Sequence, residues 1–251
     1  MPMPRRYPSE FVFSLFALAI TVVIVHGAFV LDVRPKAQAI LAEQREGMLH
    51  DPNYIADRSF YVLIKDYEQE SEIILFIWAL AIIAYKARRQ SRERQVLDSE
   101  LLKLPEGMKI LPEDSREYIR QRGMLLPRAL LAALARFGAT RNLQDVSTVA
   151  HGVCQSEAER LDSEMSMLRY IAWAFPAIGF IGTVRGVGDA LSQAHKAVGG
   201  DISGVTEGLG VAFNSTLIAL LLSIFLMFLL HQLQLAQERL VVHAQDLQRA
   251  G

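Results

Sequence analysis

A single cysteine, Cys154, is all the thiol chemistry in the 251 residues. One Cys makes no internal disulfide, and no thiolate-activating or metal-binding neighbours surround it, so it reads as an inert small residue. Histidine is also sparse. His26, His50, His151, His195, His231 and His243 show no ligand spacing and no paired acid, and His26 reads as a packed or interfacial residue. No nucleophile stands beside a base, so the chain is expected not to be an enzyme and to hold no cofactor. Glycines crowd the stretch 182–188, but a dinucleotide fingerprint needs a strand before it and a βαβ unit around it. Strand-like alternation and internal repeats are both missing. The net charge of −1 supplies no basic field for nucleic acid.

Charge itself is absent over long stretches, and 51% of the residues are hydrophobic. That block pattern is the signature of a membrane protein rather than of a soluble domain. A span of the ~30 Å hydrocarbon core takes about 20 residues. Phe11–Leu31 has 21 without charge, longer than the ~7–15 apolar residues of a signal peptide, so it reads as a retained anchor behind Arg5 and Arg6. Ile73–Tyr85 is a short apolar core that reaches across only with its flanks. Lys86, Arg88 and Arg89 can snorkel at one end, and Trp78 and Tyr85 suit an interface. A third span runs over about 170–191, with Arg185 and Asp189 near its end. The fourth, Gly208–Leu230, has 23 residues and no charge.

Lys and Arg set the orientation. They flank the first span at Arg5 and Arg6 and crowd the far end of the second, whereas 32–72 carries five against nine Asp and Glu, and the link 192–207 holds only Lys196. Both termini and 86–169 are therefore expected in the cytoplasm. Lys86–Arg94 fixes topology in this reading, with binding of anionic lipid as the sharper alternative. The expected fold is an all-α integral membrane protein: four transmembrane helices, with a helical cytoplasmic domain between the second and third. Residues 1–87 form an N-terminal hairpin (spans about 11–31 and 71–87, external segment 32–70). Residues 88–168 form the cytoplasmic domain, 169–232 a pore-forming helix pair and 233–251 a cytoplasmic C-terminal helix. Within 86–169, a helix is expected over 86–104, ended by Pro105 and Gly107. Others open at Pro112 and Pro127, the latter stopping at Gly138, and a last one runs from about Leu143 into the third span without a breaker.

The last two spans carry stripes of small residues. Ala172, Pro176, Gly179, Thr183, Gly186 and Ala190 recur at steps of four and three, which puts them on one helix face, with Gly182 beside them. Gly208, Ala212, Ser215, Ala219 and Ser223 do the same in the fourth span, with Thr216 beside Ser215. The opposite face there is bulky, with Leu217, Leu220, Leu221, Ile224, Phe225 and Phe228. Helices in lipid associate where small side chains let backbones touch. Ordinary bundle packing accounts for such stripes; the sharper reading has them line a central space with Thr183, Ser215 and Thr216 as its polar points.

The stretch Arg160-Leu161 through Leu168, then Ile171-Ala172, Phe175-Pro176, Gly179-Phe180-Ile181-Gly182-Thr183-Val184 and Gly186, resembles the MotA/TolQ/ExbB proton channel family. So does Glu207-Gly208-Leu209 leading into Val211-Ala212-Phe213-Asn214-Ser215-Thr216-Leu217. The likeness covers roughly 158–232. It implies a homo-pentamer in a bacterial inner membrane whose last two spans surround two helices of a dimeric single-span partner of the MotB/TolR/ExbD type, which supplies a transmembrane Asp. It implies an ion-driven motor, moving H⁺ or Na⁺, with Thr183 at the position of the family's pore threonine. The second pore threonine falls on Ala212 without a gap, or on Thr216 after a four-residue slip. The Pro that flagellar members carry in the fourth span is missing.

One absence rests on the sequence itself. No Asp or Glu lies in the central portion of a span, so a conducting assembly would take its titratable carboxylate from elsewhere. Arg185 and Asp189, four apart, can pair at the outer end of the third span, and Glu207 sits at the start of the fourth, where a helix N-terminus favours an anion. Helix-end electrostatics is the plainer account of all three, and the sharper one makes them candidates for the outer mouth. The rival to a motor is a non-conducting scaffold built on the same small-residue faces. A secondary transporter would need intramembrane charge and inverted repeats.

Overall fold

A computed structural model of the chain describes residues 7–50, 59–98, 132 and 136–250. Among them helix dominates and no strand occurs. Helix α1 covers Tyr7–Ala28 and passes through a π-helical turn, Phe29–Val33, into α2, Arg34–His50. The wider turn sits just before Pro35, which has no N–H to continue the α-helical ladder, and Arg34 donates its N–H five residues back to the Phe29 carbonyl. Helix α3 is the single turn Phe60–Ile64, and α4 runs from Tyr67 to Asp98. Then follow α5 (Leu143–Glu164), α6 (Ser166–Ser192), the short α7 (Ala194–Val198) and α8 (Ser203–Ala250).

Three helical stretches are long and apolar enough to cross a membrane: Phe11–Gly47, Ser147–Ser192 and Ser203–Arg239. Helix α4 is not among them, because Glu68, Glu70 and Glu72 stand directly before its apolar stretch and Lys86 directly after it.

The residues within Met1–Ile82 and Leu168–Phe228 form one compact unit, and those within Ile83–Met167 and Leu229–Gly251 another. In the first, α1 and α4 lie antiparallel. Trp78 Nε1 donates to the Ser14 carbonyl at 2.9 Å near one end, and His26 meets Glu70 at the other. Val25, Phe29, Val33, Ile64 and Ile218 make a buried cluster with Ile73, Ile74 and Leu222 packed on it. Phe76 of α4 packs its ring against Phe175 of α6 and Phe225 of α8, at 6.4 and 5.9 Å between centroids.

In the second unit, Cys154 is buried against Val241, flanked by Val153, Ala158 and Leu161. Lys86 Nζ donates to Glu164 at 3.1 Å, and Arg160 pairs with Glu157 at 2.6 Å. The helix expected to stop at Gly138 instead includes it and extends through residue 140. It ends where Arg141 takes a left-handed φ of 52° and its N–H reaches the Phe137 carbonyl. Asn142 then caps α5 by accepting from the Gln144 N–H. A turn at the buried Met165 separates α5 from α6, where an unbroken passage was expected. The expected ends at Pro105 and Gly107 and the helix starts at Pro112 and Pro127 lie outside the described residues.

Candidate functional site

Helices α6 and α8 run antiparallel with their backbones in contact, and glycine makes this possible. A Cβ added at Gly186 would lie 2.5 Å from the Ala212 nitrogen and 2.6 Å from the Gly208 carbonyl oxygen. One at Gly208 would lie 2.6 Å from the Ala190 nitrogen, and one at Gly179 would lie 2.5 Å from the Ala219 Cβ. At Gly182 the obstacle is Ser215. The two stripes thus mesh residue by residue: Ala190 and Gly186 on Gly208 and Ala212, Gly182 on Ser215, Gly179 on Ala219. The last step is polar. Pro176 has no N–H for the Ala172 carbonyl one turn back, and that carbonyl instead accepts from the Ser223 hydroxyl of α8 at 3.4 Å.

The buried face of α6 consists of Leu168, Ile171, Ala172, Phe175, Gly179, Gly182, Gly186 and Ala190. Phe175 and Gly182 therefore occupy the centre of the contact, while Pro176 is exposed and Thr183 half-buried on its flank. On α8, Gly208, Ala212, Ser215 and Ala219 are buried, and Ser223 is half-buried.

The three hydroxyls separate into two groups. The Thr183 and Thr216 hydroxyls bond to each other. Thr183 Oγ1 also lies 3.2 Å from the Ala212 carbonyl and Thr216 Oγ1 3.2 Å from the Gly179 carbonyl, so each hydroxyl reaches the opposite helix, and with one proton apiece the pair can make one of these two bonds alongside their own. Ser215 is fully buried on the other side. Its hydroxyl donates to the Val211 carbonyl at 2.8 Å and lies 3.4 Å from Gln69 of α4. Ala212 has no side-chain donor and supplies only its carbonyl to the Thr183 hydroxyl.

Carboxylates from the start of α4 are buried in this unit. Glu68 takes Arg185 in a two-pronged ion pair, both contacts at 2.7 Å. Asp189 lies 3.7 Å from the same guanidinium, so the expected helix-internal pair exists but is secondary to the one with α4. Glu70 pairs with Arg34 and, at 2.6 Å, with His26. His26 therefore has the paired acid that the sequence reading denied it. Glu72 is fully buried. Glu207 is bound by Arg45 of α2 at 2.9 Å, which ties the start of α8 to α2.

Glu68, Gln69, Glu70 and Glu72 were missed because they stand just before the apolar stretch of α4, where hydropathy reads them as flanks. Their signal was the triple Glu spacing before the second span, with a further cation, Arg185, in the third.

The family model described as "MotA/TolQ/ExbB proton channel family" matches residues 124–246, which takes in both meshed helices, and supports that family for the chain. The match points to a membrane protein of proton-channel type. No curated protein and no solved structure matched.

Proposed function

We infer that the chain is the pore-forming ring subunit of an ion-driven motor in a bacterial inner membrane. Five copies surround a dimeric single-span partner of the MotB/TolR/ExbD type, and H⁺ or Na⁺ passing the partner's transmembrane Asp drives rotation or force. Four helices cross the bilayer, α4 making the second crossing with Glu68 paired to Arg185 and Glu70 to Arg34 and His26. Both termini and the segment between the second and third crossings face the cytoplasm, following the Lys and Arg asymmetry.

The observation that carries the reading is the Thr183–Thr216 hydroxyl pair at the flank of a backbone-close helix contact. Its donors and lone pairs lie at a half-buried position, where a carboxylate on an incoming helix can exchange hydrogen bonds with them. Of the two alignments for the second pore hydroxyl, this geometry favours Thr216 over Ala212, and Ser215 faces α4 instead. Arg185, Asp189 and Glu207, with Arg45, shape the outer mouth.

Ion leakage in cells producing the chain with its single-span partner, compared with either alone, tests the reading. Flux only from the pair supports the motor. A complex of normal yield without flux under any driving force would leave a non-conducting scaffold built on the same helix faces.

A further inference from the structure

Gln69, Glu72 and Phe76 stand three and four residues apart and so share one face of α4. Gln69 meets Ser215, and Phe76 meets Phe175 and Phe225. Glu72 lies on the helix between these two levels, beside the middle of the apolar runs of α6 and α8. It has 0% exposure in the isolated chain, so its own helices cover it and a neighbouring subunit is not needed to do so. Neither carboxyl oxygen has a hydrogen-bond partner among the described residues.

The charges around it are already committed. Glu68, one turn earlier on the same helix, takes the Arg185 that α6 brings. Glu70 takes His26 from α1 and Arg34 from α2. From α8 the facing polar group is the uncharged Ser215, whose hydroxyl is given to the Val211 carbonyl. An ionised carboxylate without water or a counter-charge is so costly that such groups take up a proton instead. The neutral acid still has an unmet O–H donor, and an orphaned buried group of that kind points to a transient visitor, water or a migrating proton.

We propose that Glu72 is a proton-binding site within the subunit itself, a second carboxyl that loads and unloads a proton in addition to the partner's Asp. Its role in flux rests on the motor reading above, but its occupancy by a proton does not. Glu68 and Glu70 neutralise fixed cations, whereas Glu72 has no fixed cation and is therefore the member of the trio free to change its charge.

Dicyclohexylcarbodiimide, an apolar reagent that adds to protonated carboxyls, tests the site on the full chain in lipid nanodiscs, with peptide mass spectrometry as the readout. The expected result is modification of Glu72 near neutral pH, lost as the pH is raised, with Glu68 and Glu70 unmodified throughout. Failure to modify Glu72 at any pH, or protection of it by Na⁺ at constant pH, overturns the proposal. In cells with the partner, Glu72→Gln, which keeps the shape without the exchangeable acid, should assemble normally and lose ion flux, and Glu72→Asp should recover part of it. Wild-type flux from Glu72→Gln would remove Glu72 from the pathway. Glu72 modified in a wild-type complex that never conducts would sink the motor reading and leave the proton site standing.

Discussion

The Thr183 and Thr216 hydroxyls hydrogen-bond to each other across α6 and α8, and each also reaches a backbone carbonyl of the opposite helix. The pair acts as one unit, since removing either hydroxyl changes what the other can bond. Thr183→Val keeps the branched shape and loses the hydrogen bonds. Such a bond in a membrane protein contributes only about 0.6 kcal/mol, so the complex should assemble at near-normal yield while flux falls sharply. Thr183→Ser should preserve part of the flux. The Thr183→Val/Thr216→Val double variant should conduct no worse than the poorer single, as coupled residues are non-additive. Intact flux in Thr183→Val, measured beside assembly, would remove the hydroxyl from the pathway.

Gly186 and Gly208 face backbone rather than flexible side chains, so the neighbours of an added methyl cannot swing aside. Gly186→Ala and Gly208→Ala should each destabilise the folded chain by about 1–3 kcal/mol, the usual cost of overpacking. Gly188 and Gly210, on the same two helices, have nothing within 4 Å of an added Cβ. Gly188→Ala and Gly210→Ala should be neutral or slightly stabilising, and Leu221→Ala, at an exposed position, should have little effect on folding. Denaturation in detergent would read the difference. Equal stability for Gly186→Ala and Gly188→Ala would contradict the meshed contact.

The helix pair was legible in the sequence because its cause is local: small residues at steps of three and four report a close face whatever lies opposite. The stripe was a little off centre, since helix periodicity alone does not distinguish Pro176 and Thr183 on the flank from Phe175 and Gly182 at the middle. The ion pairs between helices were not legible. Glu68 and Arg185 stand 117 positions apart, and His26 and Glu70 stand 44 apart. Hydropathy identifies stretches that exclude charge, and gives no sign of charges that neutralise one another between helices. For the same reason Glu72 read as a flank of the apolar core Ile73–Tyr85 rather than as part of the packed bundle.

The asymmetry of Lys and Arg along the sequence sets the expected topology. A cysteine introduced at position 110, in a chain whose Cys154 has been replaced, should resist impermeant thiol reagents in intact cells and react after permeabilisation. One at position 200, in the link between α6 and α8, should react from outside. The reverse pattern would invert the orientation drawn from Lys and Arg.

Arg185 and Glu68 provide the sharpest test of how α4 is held against α6. The guanidinium is 39% exposed while the carboxylate is 9% exposed, so the two deletions are not equivalent. Arg185→Gln strands an almost buried Glu68 carboxylate, whereas Glu68→Gln leaves Arg185 near Asp66 and Asp189, each at 3.7 Å. Removing one partner of a fully buried pair costs about 3–5 kcal/mol. Water at the guanidinium reduces that, so Arg185→Gln should cost about 1–3 kcal/mol and Glu68→Gln less. The double variant should be more stable than Arg185→Gln alone, because it removes the stranded charge along with its partner. A thermodynamic cycle over the four proteins measures the coupling. Additive effects would mean that the pair does not hold these helices together.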